Sequence, residues 1–178
     1  MKRKLPLSDL VLIALFTALT VIMAYFTIPL PGGLPPITGQ SLMVMLAGMI
    51  LGPRRAALSQ IAYLLLGVIG LPVFAGGRAG VGVLTGYSGG FIWGFVCGSY
   101  LIGKLTERIK QPSLLSLAKA CFIGGVLVVY LPGLVQLSFV LEINLFQSAI
   151  SMLPYLPGDL LKVFLAALLA QRIMPRIK

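Results

Sequence analysis

Apolar residues in this chain come in long blocks, and proline, glycine and positive charge divide one block from the next. Six such blocks stand at about 9–28, 40–52, 54–71, 87–104, 114–138 and 157–174. Each is near the roughly 20 residues that a helix needs to cross a bilayer, so the pattern predicts an all-α chain of six transmembrane helices. The block 40–52 is short, at 13 residues, and is expected either to tilt into the preceding loop or to span only partly. No fixed-period repeat is visible, and six spans leave no room for a soluble unit, so residues 1–178 read as one transmembrane domain.

Composition agrees with the pattern. With 58% hydrophobic residues, 10% charged and a mean hydropathy of +1.03, the chain is too apolar to present a solvated surface and reads as an integral membrane protein. A net charge of +10 raises the question of nucleic acid. Nucleic-acid binders gather their bases on one polar face, whereas here the bases punctuate apolar runs, so that class is set aside. Twelve of the fourteen bases lie at the two ends and in the second and fourth connections. Short cytoplasmic segments collect Lys and Arg, so both termini are expected inside and connections one, three and five outside. The run Leu10–Ile28 is longer than the apolar core of a signal peptide and lacks a small-residue cleavage site, so it is read as the first span. Cys97 and Cys121 sit in apolar blocks without CxxC spacing, and the chain has no histidine, so no metal or haem site is expected.

The two bases that break the sorting are Arg78 and Lys162, and with Glu142 and Asp159 they place four charges toward the outer side. Connection one, Pro29–Gly39, carries four prolines and three glycines and cannot be a helix; it reads either as a cover over a site or as a loop among lipid head groups. Gln40, just after it, offers both a donor and an acceptor. Connection three, Gly70–Gly90, holds eight glycines in 21 residues, including Gly77 and Gly80 on either side of Arg78. Such a run is expected to let backbone N–H groups approach an anionic ligand closely, but no nucleotide-binding motif ends it. Arg78 itself suits a carboxylate, or else a lipid head group.

The stretch Tyr155–Lys162 puts Asp159 and Lys162 three residues apart, on one helical face, in an otherwise lipid-compatible block. A charge near the bilayer centre costs about 2.5–3.5 kcal/mol on insertion scales and usually faces a cavity. Two readings are open: an acid in a helix's first turn, paired with Lys162, or a ligand site for a small anion that also carries N–H donors. Small residues recur every four positions at Gly86, Gly90, Gly94 and Gly98, and again at Ala14 and Ala18, which predicts close helix contacts; the alanine pair equally suits a partner protein. Trp93, Tyr25, Tyr63 and Tyr130 are expected to be interface or core aromatics.

Four stretches carry a family resemblance: Leu51–Arg54, Tyr63–Arg78, Ser88–Phe91 and Leu156–Lys162. Through them the chain resembles, over nearly its whole length, the BioY family, the biotin-specific substrate-binding (S) components of energy-coupling factor (ECF) transporters. The family has Gly-Pro-Ser/Thr-Gly-Gly-Tyr where this chain reads Gly86-Tyr87-Ser88-Gly89-Gly90-Phe91. The resemblance implies a six-helix S-component fold in a bacterial cytoplasmic membrane and a protein that is not an enzyme. Biotin would be the transported ligand, with no cofactor. Asp159 would accept from the ureido N–H groups, Lys162 with Arg78 would hold the valerate carboxylate, and Gln40, Gly77, Gly80, Tyr87 and Ser88 would complete the site. Ala14 and Ala18 would dock a transmembrane coupling (T) component driven by two cytoplasmic ATPases. Two other classes stay open: an S component for another vitamin, and an intramembrane enzyme. The second lacks any histidine or Ser/His/Asp set for acid–base work.

Overall fold

Proline and glycine set the helix ends much as the block pattern predicts. The computed structural model describes residues 6–30 and 34–177. Helix α1 (Leu7–Tyr25) starts directly after Pro6, whose extended backbone precedes the first turn. Helix α2 (Gln40–Leu51) stops at Gly52, which takes a φ of 77°, and Pro53 then opens α3 (Pro53–Val68), where its missing N–H is harmless. A short α4 (Val81–Thr85) precedes α5 (Gly89–Glu107). The predicted fifth block is one long rod of α6 (Leu114–Cys121), a π-helical stretch at Phe122–Val128, and α7 (Val129–Val140). Helix α8 (Leu145–Ser151) is opened by a reciprocal cap between Asn144 and Gln147, and α9 (Leu156–Ile177) closes the described chain.

Among the described residues, three helical segments are long and apolar enough to cross a membrane: Leu7–Tyr25, Leu114–Val140 and Leu145–Met174. The short block at 40–52 proves to be the centre of the bundle. Nine residues of α2 are buried, and it packs on α1, α3, α5 and α9. The bases Lys2, Arg3, Lys4 and Lys178 and the tip of connection one, Pro31–Gly33, lie outside the described residues.

Connection one departs from the all-α expectation. Thr27–Ile28 (β1) and Ile37–Thr38 (β2) pair antiparallel, so the two ends of the proline-rich loop are tied to each other above α1 and α2. Two residues per strand are too few to leave a period in the sequence.

The glycine stripe is a helix–helix contact. A Cβ at Gly90 would lie 2.2 Å from the carbonyl oxygen of Pro132, one at Gly94 2.7 Å from that of Val129, and one at Gly98 2.5 Å from that of Gly124. Helix α5 therefore lies backbone-to-backbone on the α6–α7 rod. Gly86 does not belong to this stripe: it ends α4, and its nearest neighbour is the Gly82 carbonyl of its own turn. Replacing Gly94 by Leu is expected to wedge α5 from α7 and lower stability by at least the about 1–3 kcal/mol of overpacking, measured as a fall in the detergent-solubilised melting temperature. Gly82→Ala, whose Cβ meets no atom within 4 Å, is expected to leave it unchanged.

Candidate functional site

Irregular backbone at one end of the bundle encloses a cavity lined by both polar and apolar side chains. Its wall takes Pro35–Thr38 from the hairpin, Gln40 and Ser41 from the start of α2, Ala75 and Arg78 from connection three, and Ser88 and Phe91 from the start of α5. Val129 and Tyr130 of α7 and Asp159 and Lys162 of α9 complete the polar side. The first turns of α2, α5 and α9 thus all lie at this cavity, which adds the positive ends of three helix dipoles.

Asp159 is 8% exposed, and both its oxygens are engaged. Lys162 Nζ lies 3.0 Å from Oδ1, and the Tyr130 hydroxyl donates to Oδ2 at 2.5 Å. Lys162 also donates to Ser41 Oγ at 3.1 Å. The pair is therefore an ion pair in the first turn of α9, and both of its residues also line the cavity. Tyr130, read from the sequence as an interface or core aromatic, and Ser41 also line the cavity. A lone tyrosine inside an apolar block reads as a core or interface aromatic, and what faces Tyr130 inward is the π-helical stretch that ends one residue before α7, which offsets the side chains that follow.

Arg78 is held by a tight turn. The Phe74 N–H donates to the Arg78 carbonyl at 2.9 Å, and the turn is closed by Gly76 and Gly77 at φ of 70° and 74°. Phe74 is fully buried, edge-on to Tyr63 at 5.6 Å, in a gap that exists because position 67 is glycine: a Cβ there would lie 2.0 Å from the Phe74 ring. The Arg78 guanidinium donates to the Ala75 carbonyl at 3.1 Å, to the Tyr87 hydroxyl and, at 3.4 Å, to Ser88 Oγ, and it stacks 4.9 Å from the Tyr87 ring centre. Gln40 is buried and donates to the Tyr63 hydroxyl, which ties the start of α2 to the same anchor.

Three expectations need correction. Gly77 and Gly80 do not line the cavity, and their N–H groups donate to the carbonyls of Phe74 (2.9 Å) and Gly67 (2.8 Å). The glycines shape the turn rather than cradle an anion. Tyr87 lies behind Arg78, outside the cavity wall. Glu142 is exposed in the turn after α7, at a φ of 55°, and takes no part in the charge cluster. Ala14 and Ala18 are both exposed and line an apolar groove between α1 and α3, whose walls include Ile13, Ala62, Leu65 and Leu66. Among the described residues no group of histidine, cysteine and carboxylate side chains could hold a metal ion.

Fold and site together define a helical membrane protein with an ion pair and an arginine set in the wall of one end-on cavity. The model of the BioY family matches residues 1–178, and the chain belongs to that family. It is 40% identical over 170 residues to the "Probable biotin transporter BioY" of Bacillus subtilis, covering 95% of this chain and 91% of that protein. It is 38% identical over 173 residues to the "Biotin transporter BioY" of Rhizobium etli, covering 93% and 92%. Among solved structures it is similar to the S-component for biotin from an ECF-type ABC transporter, at a TM-score of 0.90 and 31% identity, covering 98% of this chain and 95% of that one. The family is one of transporter components rather than enzymes.

The ion pair predicts a pattern of stability. Asp159→Asn or Lys162→Met alone leaves an uncompensated charge, which is expected to cost about 3 kcal/mol, the lower end for breaking a buried pair because a cavity borders this one. The double variant is expected to recover most of the loss in a thermal melt of the detergent-solubilised protein.

Proposed function

We propose that this protein is the biotin-capturing S component of an ECF transporter. In this reading it crosses the bacterial cytoplasmic membrane six times with both termini inside, and the cavity lies toward the outer face. The observation that carries it is the Asp159–Lys162 pair on the wall of a cavity that Arg78 shares. A ureido ring presents N–H donors beside a carbonyl acceptor, and a carboxylate with an ammonium 3.0 Å away matches that arrangement group for group. The names of the family's relatives, biotin transporters from several bacteria, support the same ligand.

The contact between Asp159 and Lys162 bears on how the ligand lies. Two groups that touch serve one end of an elongated molecule, so Lys162 joins Asp159 at the ring. The valerate carboxylate then falls to Arg78, which comes from a different element and is always charged. One such contact at 4 Å is of order 4 kcal/mol at an effective dielectric near 20, before desolvation is subtracted. Ser88 and Gln40 lie close to these groups, and Tyr87 acts through Arg78 by fixing its plane.

Uptake against a gradient needs an energy source that this chain does not carry as any nucleotide-binding motif. The groove at Ala14 and Ala18 offers a T component a surface where helix backbones can approach closely, and two cytoplasmic ATPases would drive the assembly.

Two measurements test the reading. In purified protein, Asp159→Asn and Lys162→Ala are each expected to weaken biotin binding about 10- to 100-fold, as loss of a charged hydrogen bond would; unchanged affinity in both sinks the site. Arg78→Gln is expected to weaken biotin while leaving biotin amide, which lacks the carboxylate, nearly unaffected. Competition by thiamine or riboflavin instead of biotin would assign the fold to another vitamin. Separately, Ala14→Leu with Ala18→Leu is expected to abolish co-purification with a T component without altering biotin affinity.

A further inference from the structure

Arg78 faces two spaces. Besides the main cavity, a second hollow of about 580 Å³, its mouth included, lies on the other side of the same side chain. Arg78, Val83 and Ser88 line both, while Ala79, Gly82, Gly86 and Tyr87 line the second alone. Three residues are therefore common to the walls of the two spaces, and one of them is a cation. The outer hollow has a firm rim. Gln136 of α7 donates to the carbonyls of Leu84 and Gly86, each at 2.7 Å, and so clamps the end of α4. Its floor is small because positions 82 and 86 are glycine, and Gly82 is exposed. On the opposite side of the main cavity the hairpin loop is tied down, since the Tyr155 hydroxyl donates to the Pro35 carbonyl.

We propose that the hollow at Ala79, Gly82 and Gly86 is the entry vestibule, where an anionic ligand first meets Arg78 before its other end passes into the main cavity. The shared wall suits this task. Of the groups holding the guanidinium, the Ala75 carbonyl and the Tyr87 hydroxyl are the nearer; the Ser88 contact, at 3.4 Å, is long and is the one to yield to a carboxylate. A carboxylate on Arg78 from the outer side then needs only a shift of Ser88 and Val83 to be held from the inner side by the same cation. The ligand class is a small organic anion with an apolar chain. The vestibule's part in biotin uptake rests on the function proposed above, whereas its part as a portal does not.

The test fills the vestibule without touching the cavity. Gly82→Trp introduces a side chain at a position where a Cβ meets no protein atom, so the fold is expected to survive; Ala79→Phe serves as a second plug should that variant misfold. A plug in an entry path slows arrival and departure alike, so biotin association and dissociation are both expected to fall about tenfold with the equilibrium constant held within about twofold. Unchanged association in both variants overturns the portal. So does weakened affinity with unchanged association, which would make Gly82 a wall of the bound state.

A readout without biotin separates the two proposals. With exposed Cys97 changed to Ser and Cys121 buried, Ser88→Cys gives one thiol that lines both spaces, at a position 8% exposed. Its modification by a negatively charged methanethiosulfonate is expected to slow about tenfold on adding Gly82→Trp, and an unchanged rate overturns the portal. A parent protein that binds no biotin but shows this slowing keeps the portal and loses the biotin reading.

Discussion

A carboxylate in the wall of an apolar bundle has to be compensated from several directions, and how this is done for Asp159 organises the site. Lys162 comes from one turn further along α9, Tyr130 from α7, and through Lys162 the contact reaches Ser41 on α2. Three helices are thereby fixed around one carboxylate. The arrangement also leaves the site poised, because neither charge is bare and neither is saturated by more than two partners. A ligand that brings its own donors and acceptor can exchange contacts one for one, which avoids leaving a buried charge unpaired at any stage.

Around that pair, glycine does structural work twice over. On α5 it brings backbone within contact of the α6–α7 rod, so that Phe91 and Tyr130 can meet edge-on at 5.9 Å. In connection three it allows Phe74 to sink into the gap at Gly67 and the chain to reverse at Gly76 and Gly77, which delivers Arg78 to the cavity. The cation's position thus depends on a buried phenyl ring and an absent side chain some ten residues away.

This explains what the sequence could and could not disclose. Helix ends were legible because proline and glycine act locally: Pro6, Gly52 and Pro53 stand where α1, α2 and α3 begin or stop. The charges Arg78, Asp159 and Lys162 were legible because each breaks an otherwise sorted pattern. Connection three misled because a glycine-rich run signals backbone freedom without saying how it is used. At Gly77 and Gly80 it is used for local backbone geometry: the Gly77 N–H closes the turn onto Phe74, and the Gly80 N–H donates to Gly67 at the end of α3. Tyr130 escaped because its direction depends on a π-helical stretch that no period in the sequence announces, and Glu142 misled because charge sorting along the chain cannot tell an exposed turn from a cavity wall.

The cavity and the α1–α3 groove are different surfaces, yet they share α3. On one side of that helix Ala62, Leu65 and Leu66 face the groove. On another, Tyr63 supports Phe74 and accepts from Gln40. Between α1 and α3 runs a buried polar seam: Thr17 donates to the Ser59 carbonyl at 3.0 Å, and Gln60 donates to Thr20 at 3.4 Å while its own carbonyl oxygen has no partner among the described residues. A seam with one strong and one weak cross-helix bond resists sliding less than an interlocked apolar contact would, because polar partners can exchange. Tyr63 thus ties α3 both to the Phe74 anchor under Arg78 and to Gln40, the first residue of α2.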